Sequence, residues 1–273
     1  MLSCGCLGAQ LARRKIPRNT RHRRHMETNL TEIKARKKAL REEIWQKLTE
    51  AGVARFPGAF GRIPNFVGAE EAAERAAQED AFQKARYIKA NPDSPQFPLR
   101  VKALSQGKVV FMAVPKLRAE KPFLKLDPQN LRVHPMRAAT IKGAFKYGVP
   151  VAPEEMPVID LVITGCVAVT EEGDRLGKGG GFADLELAIL QEFGRLKEET
   201  PVLTTVHPLQ IVPEIPTEEH DFSVDIIVTP EETIRAKGAK RRPCGIIWEI
   251  LPEEKIRSIP VLAKLKSKNE CFT

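Results

Sequence analysis

The 273-residue chain has few cysteines, few aromatic residues and no long apolar segment. Its five cysteines are odd in number and scattered, which indicates a reducing compartment and excludes a disulfide-stapled fold; they are Cys4, Cys6, Cys166, Cys244 and Cys271. The first two lack a second pair at zinc-site spacing, which argues against a metal site there. Because no run of about 18 apolar residues exists, the sequence predicts no membrane-spanning helix.

Acidic residues are missing from the first 25 positions, which hold seven of the arginines and lysines. Without those seven, the net charge of +9 falls to about +2 for residues 26–273. This balance, with aromatic residues at only 6% of the chain, argues against nucleic acid as a partner. The basic leader has three interpretations: a transit peptide, a basic arm, or a segment upstream of a start at Met26. We expect a cytoplasmic protein, with a mitochondrion or plastid as the alternative if residues 1–25 are a transit peptide.

Helix and strand patterns alternate along the rest of the chain. Residues 28–53 predict a helix with Thr31 as its N-cap, and the Ala- and Glu-rich residues 68–92 predict another. Short apolar runs predict strands in "GKVVFMAVP", "VIDLVITGCVAV", "VLTTVH", "VDIIVT" and "GIIWEI"; further helices are predicted in "AATIKGAFKYG", over 183–198 and in "PEEKIRSIP". This alternation favours a three-layer α/β/α sandwich with a mostly parallel, Rossmann-like sheet, in which ligands sit beyond the carboxyl ends of the strands.

A glycine-rich loop, "GKGGG" at 177–181, lies between the strongest strand pattern and a helix pattern. Glycines let backbone amides approach a ligand, and the helix start adds its positive dipole end, so the arrangement predicts an anion site. Arg175 and Lys178 add positive charge, while Asp184 either complements the dipole or holds a Mg²⁺ ion. A flexible turn without a ligand is the alternative. Neither the P-loop nor the dinucleotide pattern matches, since no Lys-Ser or Lys-Thr pair follows and the glycines are too closely spaced.

Four segments, in order, resemble the 5-formyltetrahydrofolate cyclo-ligase family. "RLGKGGGFAD" resembles its R-L-G-x-G-x-G-Y-Y-D signature, and "KKALR" at 37–41 resembles its K-x-x-L-R element. "IDLVITGCVAV" and "HDFSVDIIVTP" resemble the strand before the glycine loop and a late H-D-x-x-[VL]-D segment. The resemblance implies a CoA-transferase-like sandwich over residues 30–235. Residues 1–29 are then expected to form a disordered tail, and residues 236–273 an extension packed on the domain, similar to a longer, divergent branch of the family.

The resemblance also implies a reaction and its residues. ATP would phosphorylate the formyl oxygen of the reduced folate 5-formyltetrahydrofolate, and ring closure would release phosphate and leave 5,10-methenyltetrahydrofolate. The implied cofactors are ATP and Mg²⁺. The implied nucleotide-binding residues are Lys37, Arg41, Gly177, Gly179, Gly180, Gly181 and Phe182; the implied catalytic residues are Arg175 and Lys178, and the implied metal ligands are Asp184 and Asp225.

The sequence departs from the family pattern on the substrate side. Phe182 and Ala183 replace two tyrosines, Thr164 replaces a proline, and Glu70–Glu71 match an acidic element only loosely. Loss of a tyrosine removes a stacking face and a hydroxyl. The nucleotide half is therefore expected to be retained and the folate half altered. Two alternatives to the cyclo-ligase remain: a divergent nucleotide-binding homologue without that activity, and an RNA-binding module.

Overall fold

The computed structural model describes the backbone of residues 20–243 and 245–271 and the side chains of residues 30–243 and 245–267. Its helices are α1 (Thr20–Glu50), α2 (Ala69–Gln78), α3 (Asp80–Lys84), α4 (Phe97–Ser105), α5 (Pro135–Ala138), α6 (Ile141–Tyr147), α7 (Phe182–Glu192), α8 (Glu253–Ser258) and α9 (Pro260–Cys271). Its strands are β1 (Tyr87–Ala90), β2 (Val109–Ala113), β3 (Phe123–Leu126), β4 (Val149–Val151), β5 (Leu161–Thr164), β6 (Ala168–Val169), β7 (Arg175–Leu176), β8 (Val202–Thr205), β9 (Ile226–Val228) and β10 (Thr233–Arg235).

Eight strands form a mixed sheet in the order β10-β9-β8-β5-β1-β2-β3-β4. The five central strands are parallel, and β3, β4 and β10 are antiparallel strands at the two edges. One face packs on α7, α8 and α9, and the other packs on α2 to α6. The structure thus confirms the predicted three-layer sandwich, because every central strand is buried on both faces.

Four of the predicted strand segments are strands, since β2, β5 with β6, β8 and β9 all lie within them. The segment "VIDLVITGCVAV" divides into two strands around Gly165, and β6 turns away to pair with β7 in a separate hairpin. The first helix starts earlier than predicted: α1 begins at Thr20, so Thr31 lies inside it. Residues 1–19, 244 and 272–273 lie outside the described part of the chain, and so do the expectations made for Cys4 and Cys6.

Two predicted elements are wrong. The sequence assigns residues 68–92 to a single helix, whereas the structure ends that helix early and forms the central strand β1 from Tyr87–Ala90. "GIIWEI" is a turn of 3₁₀ helix at Trp248–Ile250 instead of a strand. In both segments tertiary packing overrides the local pattern, which is the usual reason why short elements are misassigned.

Helix α1 packs at one end of the molecule, over the β6–β7 hairpin. Its Ile44 and Leu48 are fully buried against Val167 and Leu176 of that hairpin. The glycine loop directly follows β7, so this contact brings one face of α1 to the loop. Among the residues with assigned structure, no helix combines the length and hydrophobicity needed to cross a bilayer.

Candidate active site

The glycine loop lies at the carboxyl edge of the sheet and joins β7 to α7. Arg175, in β7, donates a hydrogen bond to the carbonyl of Gly165, which directly follows β5. Gly181 is the N-cap of α7 with φ of 62°, and Gly179 has φ of 100°. These left-handed angles favour glycine. The unpaired amides and positive dipole end of α7 therefore open toward the loop.

Arg175 is buried; its two terminal nitrogens are paired, whereas its Nε has no hydrogen-bond partner among the described residues. Its guanidinium donates to both carboxylate oxygens of Asp184, at 3.0 and 3.2 Å, and lies 4.2 Å from the ring centre of Phe222. Only 5% of Arg175 is exposed. Arg175 therefore anchors Asp184 and the glycine loop in this structure.

Arg41 of α1 reaches the same loop. Its Nε donates to the carbonyl of Gly177 at 2.6 Å. Burial lowers the pKa of Arg41, and the Asp221 carboxylate opposes that shift. A Cβ atom on Gly179 would lie 3.4 Å from the Arg41 guanidinium carbon, an ordinary contact distance, so it is the φ of 100° that favours glycine there.

Lys37 lies one turn before Arg41 on α1, and both side chains point to the same end of the sheet. The Lys37 ammonium is buried between the carboxylates of Glu218 and Asp221, at 2.7 and 2.6 Å. Asp221 also accepts the backbone amide of Glu218 at 2.7 Å. Lys37 is therefore neutralised by two carboxylates and ties α1 to the late loop at 218–221.

Two lysines at the loop are more accessible. The side chain of Lys178 is 49% exposed, and its Nζ lies 3.2 Å from Asp93, which follows β1. Lys255, in α8, donates to the carbonyl of Gly180 at 3.1 Å and lies 4.8 Å from the ring centre of Phe182. Burial lowers the pKa of Lys255, against the opposing charge of Asp184. Sequence reasoning missed Asp93 and Lys255, because neither lies in a recognisable motif.

The loop that carries Asp93 is held from behind by Arg100, which is fully buried on α4. The Arg100 guanidinium donates to the carbonyls of Asn91, Pro92 and Asp93, and to that of Ala139. Burial lowers its pKa to about 10, and Asp93 opposes the shift. All four hydrogen bonds go to main-chain oxygens, so this arginine shapes the backbone of the loop.

Asp225 lies at the opposite edge of the sheet. It precedes β9, its carboxylate accepts the amide of Val202 at the start of β8 at 2.7 Å, and it forms an ion pair with Arg242. Both contacts are at the amino ends of parallel strands, whereas the glycine loop lies at the carboxyl ends. The structure does not bring Asp225 and Asp184 together, so the two aspartates do not form the metal site expected from the sequence.

The arrangement suits a polyanion. The glycine loop carries Lys178 as its one side chain, and backbone amides at the start of α7 and the cations Arg41 and Lys255 lie around it. Asp184 and Asp93 provide hard oxygen ligands beside it. Such a combination binds phosphates and a Mg²⁺ ion that bridges them.

A sequence profile of the 5-formyltetrahydrofolate cyclo-ligase family matches residues 29–230. The chain belongs to the 5-formyltetrahydrofolate cyclo-ligase family. It is 39% identical over 239 residues to the methenyltetrahydrofolate synthase domain-containing protein of Mus musculus, covering 86% of this chain and 64% of that protein. The human protein of the same name is 38% identical, again over 86% of this chain and 62% of its own length. The chain therefore spans less than two thirds of these relatives.

A family member named for the reaction is also similar over a shorter stretch. The 5-formyltetrahydrofolate cyclo-ligase of Escherichia coli K12 is 38% identical over 74 residues, which are 27% of this chain and 38% of that protein. The NMR structure of Aquifex aeolicus 5,10-methenyltetrahydrofolate synthetase aligns with 75% of this chain and 94% of its own, with 21% identity and a TM-score of 0.47. In this chain, Phe182 and Ala183 follow the loop glycines.

Proposed function

We propose that this cyclo-ligase family member converts 5-formyltetrahydrofolate to 5,10-methenyltetrahydrofolate with ATP and Mg²⁺. The observation that carries the proposal is the glycine loop 177–181 at the amino end of α7, which carries Lys178 and has Arg41 and Lys255 beside it. These groups would bind the triphosphate through main-chain amides and three cations.

The protein contributes to this reaction chiefly by aligning the reactants and neutralising their charge. The formyl oxygen attacks the terminal phosphorus of ATP, and ADP leaves. The second folate nitrogen then attacks the formyl carbon and loses its proton, while phosphate departs with the former formyl oxygen. Because phosphoryl transfer needs alignment and neutralisation of charge, the cations of this loop can supply most of the catalysis.

The acidic residues beside the loop fit Mg²⁺. Asp184 is held rigid by Arg175, and its two carboxylate oxygens keep lone pairs beyond those that accept the guanidinium. A bound Mg²⁺ would neutralise phosphate charge. Asp93 is the second carboxylate near the loop, through its contact with Lys178. Asp225 is not included in the proposed site, because it lies at the other edge of the sheet.

The test is the reaction itself. Purified protein is mixed with 5-formyltetrahydrofolate, ATP and Mg²⁺, and methenyl absorbance is followed. We expect turnover, a fall in kcat/KM of about 10-fold or more for Lys178→Met through loss of one charge-assisted contact, and no change for Lys142→Met, an exposed lysine on α6. Absence of methenyl product from well-folded protein contradicts the proposal.

A second candidate is a nucleotide-binding homologue without activity on formylfolate. Its support is the residue pair after the loop: the Phe182 ring lies under Lys255, and Ala183 has no aromatic face or hydroxyl. ATP binding measured by calorimetry, together with a silent methenyl assay, would establish this candidate.

A further inference from the structure

The C-terminal segment contributes a cation to the glycine loop. Lys255 lies in α8, beyond residues 29–230 that match the family profile. Its Nζ donates to the carbonyl of Gly180 at 3.1 Å and lies 3.5 Å from where a Cβ atom of Gly181 would be. Its ammonium also stands 4.8 Å from the ring centre of Phe182. A lysine outside the family-matched residues thus lies against Gly180 and Gly181 of the loop and Phe182 of α7.

The Lys255 ammonium lies close to the positive end of a helix. Gly181 is the N-cap of α7, and the amino end of a helix carries partial positive charge. The Lys255 ammonium therefore faces a second positive group while it is partly removed from water. Asp184 offsets part of this repulsion, but its carboxylate is already paired with Arg175. A phosphate placed between the lysine and the helix would satisfy both positive groups.

We propose that Lys255 binds the terminal phosphate of the nucleotide, so that the C-terminal segment completes the phosphate site of this chain. The inference rests on the proposed function in taking a nucleotide as the ligand. On binding, the ammonium exchanges the Gly180 carbonyl for a phosphate oxygen, and the lysine stem keeps its contact with Phe182. Gly181 leaves room for this exchange, because any side chain there would lie against the ammonium.

The contact is tested by calorimetry on the full chain with Mg·ATP, AMP and inorganic tripolyphosphate. We expect Lys255→Met and Lys255→Gln to weaken binding of ATP and tripolyphosphate about 10-fold or more, which is the loss of one charge-assisted contact. Lys255→Arg should stay within about 3-fold of wild type, and AMP should bind all four proteins alike. The control is Arg257→Met, an exposed cation on the same helix, which should bind ATP as the wild type does.

The outcomes separate this inference from the proposed reaction. If wild-type protein binds ATP but makes no methenyl product, a weakened Lys255→Met variant still supports the phosphate contact. If Lys255→Met and Lys255→Gln are folded, as judged by their unfolding midpoints, and bind ATP like the wild type, the contact is ruled out while the reaction can stand. A wild-type chain that binds neither ATP nor tripolyphosphate overturns the inference.

Discussion

Lys89 and Glu186 form an ion pair between the central strand β1 and helix α7, with 2.5 Å between Nζ and Oε2. Lys89 is completely buried and also donates to the side chain of Asn91 at 2.8 Å. Attraction between two charges inside a protein offsets the cost of removing them from water only while both partners are present. The pair therefore affects stability most when one partner is removed, because the other charge then stays buried and unpaired.

Removing one partner should destabilise the protein more than removing both. We expect Lys89→Met to lower the free energy of unfolding by about 3–5 kcal/mol, because Glu186 is left buried and unpaired. The double variant Lys89→Met/Glu186→Leu should recover much of that loss. Urea unfolding of the wild type, both single variants and the double variant gives the coupling, and additive single effects would contradict the prediction.

Alanine substitutions at Gly179 and Gly194 can distinguish the effect of backbone strain from the effect of contact with the site. Both have positive φ, but a Cβ on Gly179 meets Arg41, whereas a Cβ on Gly194 meets no atom within 4 Å. We expect both alanine variants to lose about 1 kcal/mol of stability from the strained φ. Only Gly179→Ala should also weaken ATP binding, several-fold or more. Equal ATP affinity for the two variants, measured by calorimetry, would argue against the loop as the phosphate site.

Ionisation of the Cys166 thiol makes the free energy of unfolding depend on pH in the alkaline range. Burial raises the pKa of its thiol to about 11 from an ordinary value of 9.0, and its Sγ lies 3.5 Å from the Thr204 hydroxyl. The folded state thus keeps a proton that the unfolded chain releases above pH 9. Stability from this group is full below pH 9 and is lost as pH rises through 11, by up to about 1.4 kcal/mol per pH unit.

The check is urea unfolding of wild type and Cys166→Ala between pH 8 and 11. The difference between their unfolding free energies should shrink as pH rises, because only the wild type carries the protonated thiol. A difference that stays constant over this range would show that Cys166 ionises equally in both states.

At the scale of elements, apolar runs located β2, β5, β8 and β9, because a strand buried on both faces is a continuous apolar run in sequence. The central strand β1 was not predicted, because Tyr87–Ala90 contains a lysine and comes after an alanine-rich helix. Glu186 on α7 supplies the opposite charge that this buried lysine needs. Lys89 and Glu186 are almost a hundred residues apart in sequence, so no local pattern can predict that they pair.

The site could be predicted only in part, because only some of its residues lie in local sequence patterns. The spacing of Lys37 and Arg41 places both on one face of α1, and the structure brings that face to the loop and its neighbours. Motif comparison gave the loop glycines and Asp184, but it could not tell which edge of the sheet holds Asp225. Lys255 and Asp93 depend on long-range packing, so no sequence signal identified them.

At the scale of the whole molecule, the last two helices belong to the main core. Ile256, Ile259 and Leu262 are buried with Leu187 and Ile189 of α7 on one face of the sheet. We propose that residues 236–273 and the family-matched residues form one folding unit, with the C-terminal segment packed on the sheet.

That proposal predicts a global effect from a substitution near the end of the chain. Leu262→Ala should lower the free energy of unfolding by about 2–5 kcal/mol, because a fully buried leucine leaves a cavity. Leu30→Ala on α1, where the side chain is largely exposed, should change it by less than about 1 kcal/mol. Thermal unfolding followed by two probes should remain a single transition in both variants; a separate early transition for Leu262→Ala would mean that α8 and α9 unfold independently.

The buried guanidinium of Arg100 has a consequence for substitutions in the loop that it holds. Its hydrogen bonds hold the peptide carbonyls of Asn91, Pro92 and Asp93, so a residue on α4 sets the backbone path of that loop. The backbone path is then expected to survive a change of side chain at position 93. A substitution of Asp93 would therefore alter the charge beside Lys178 while the main chain beneath it keeps its course.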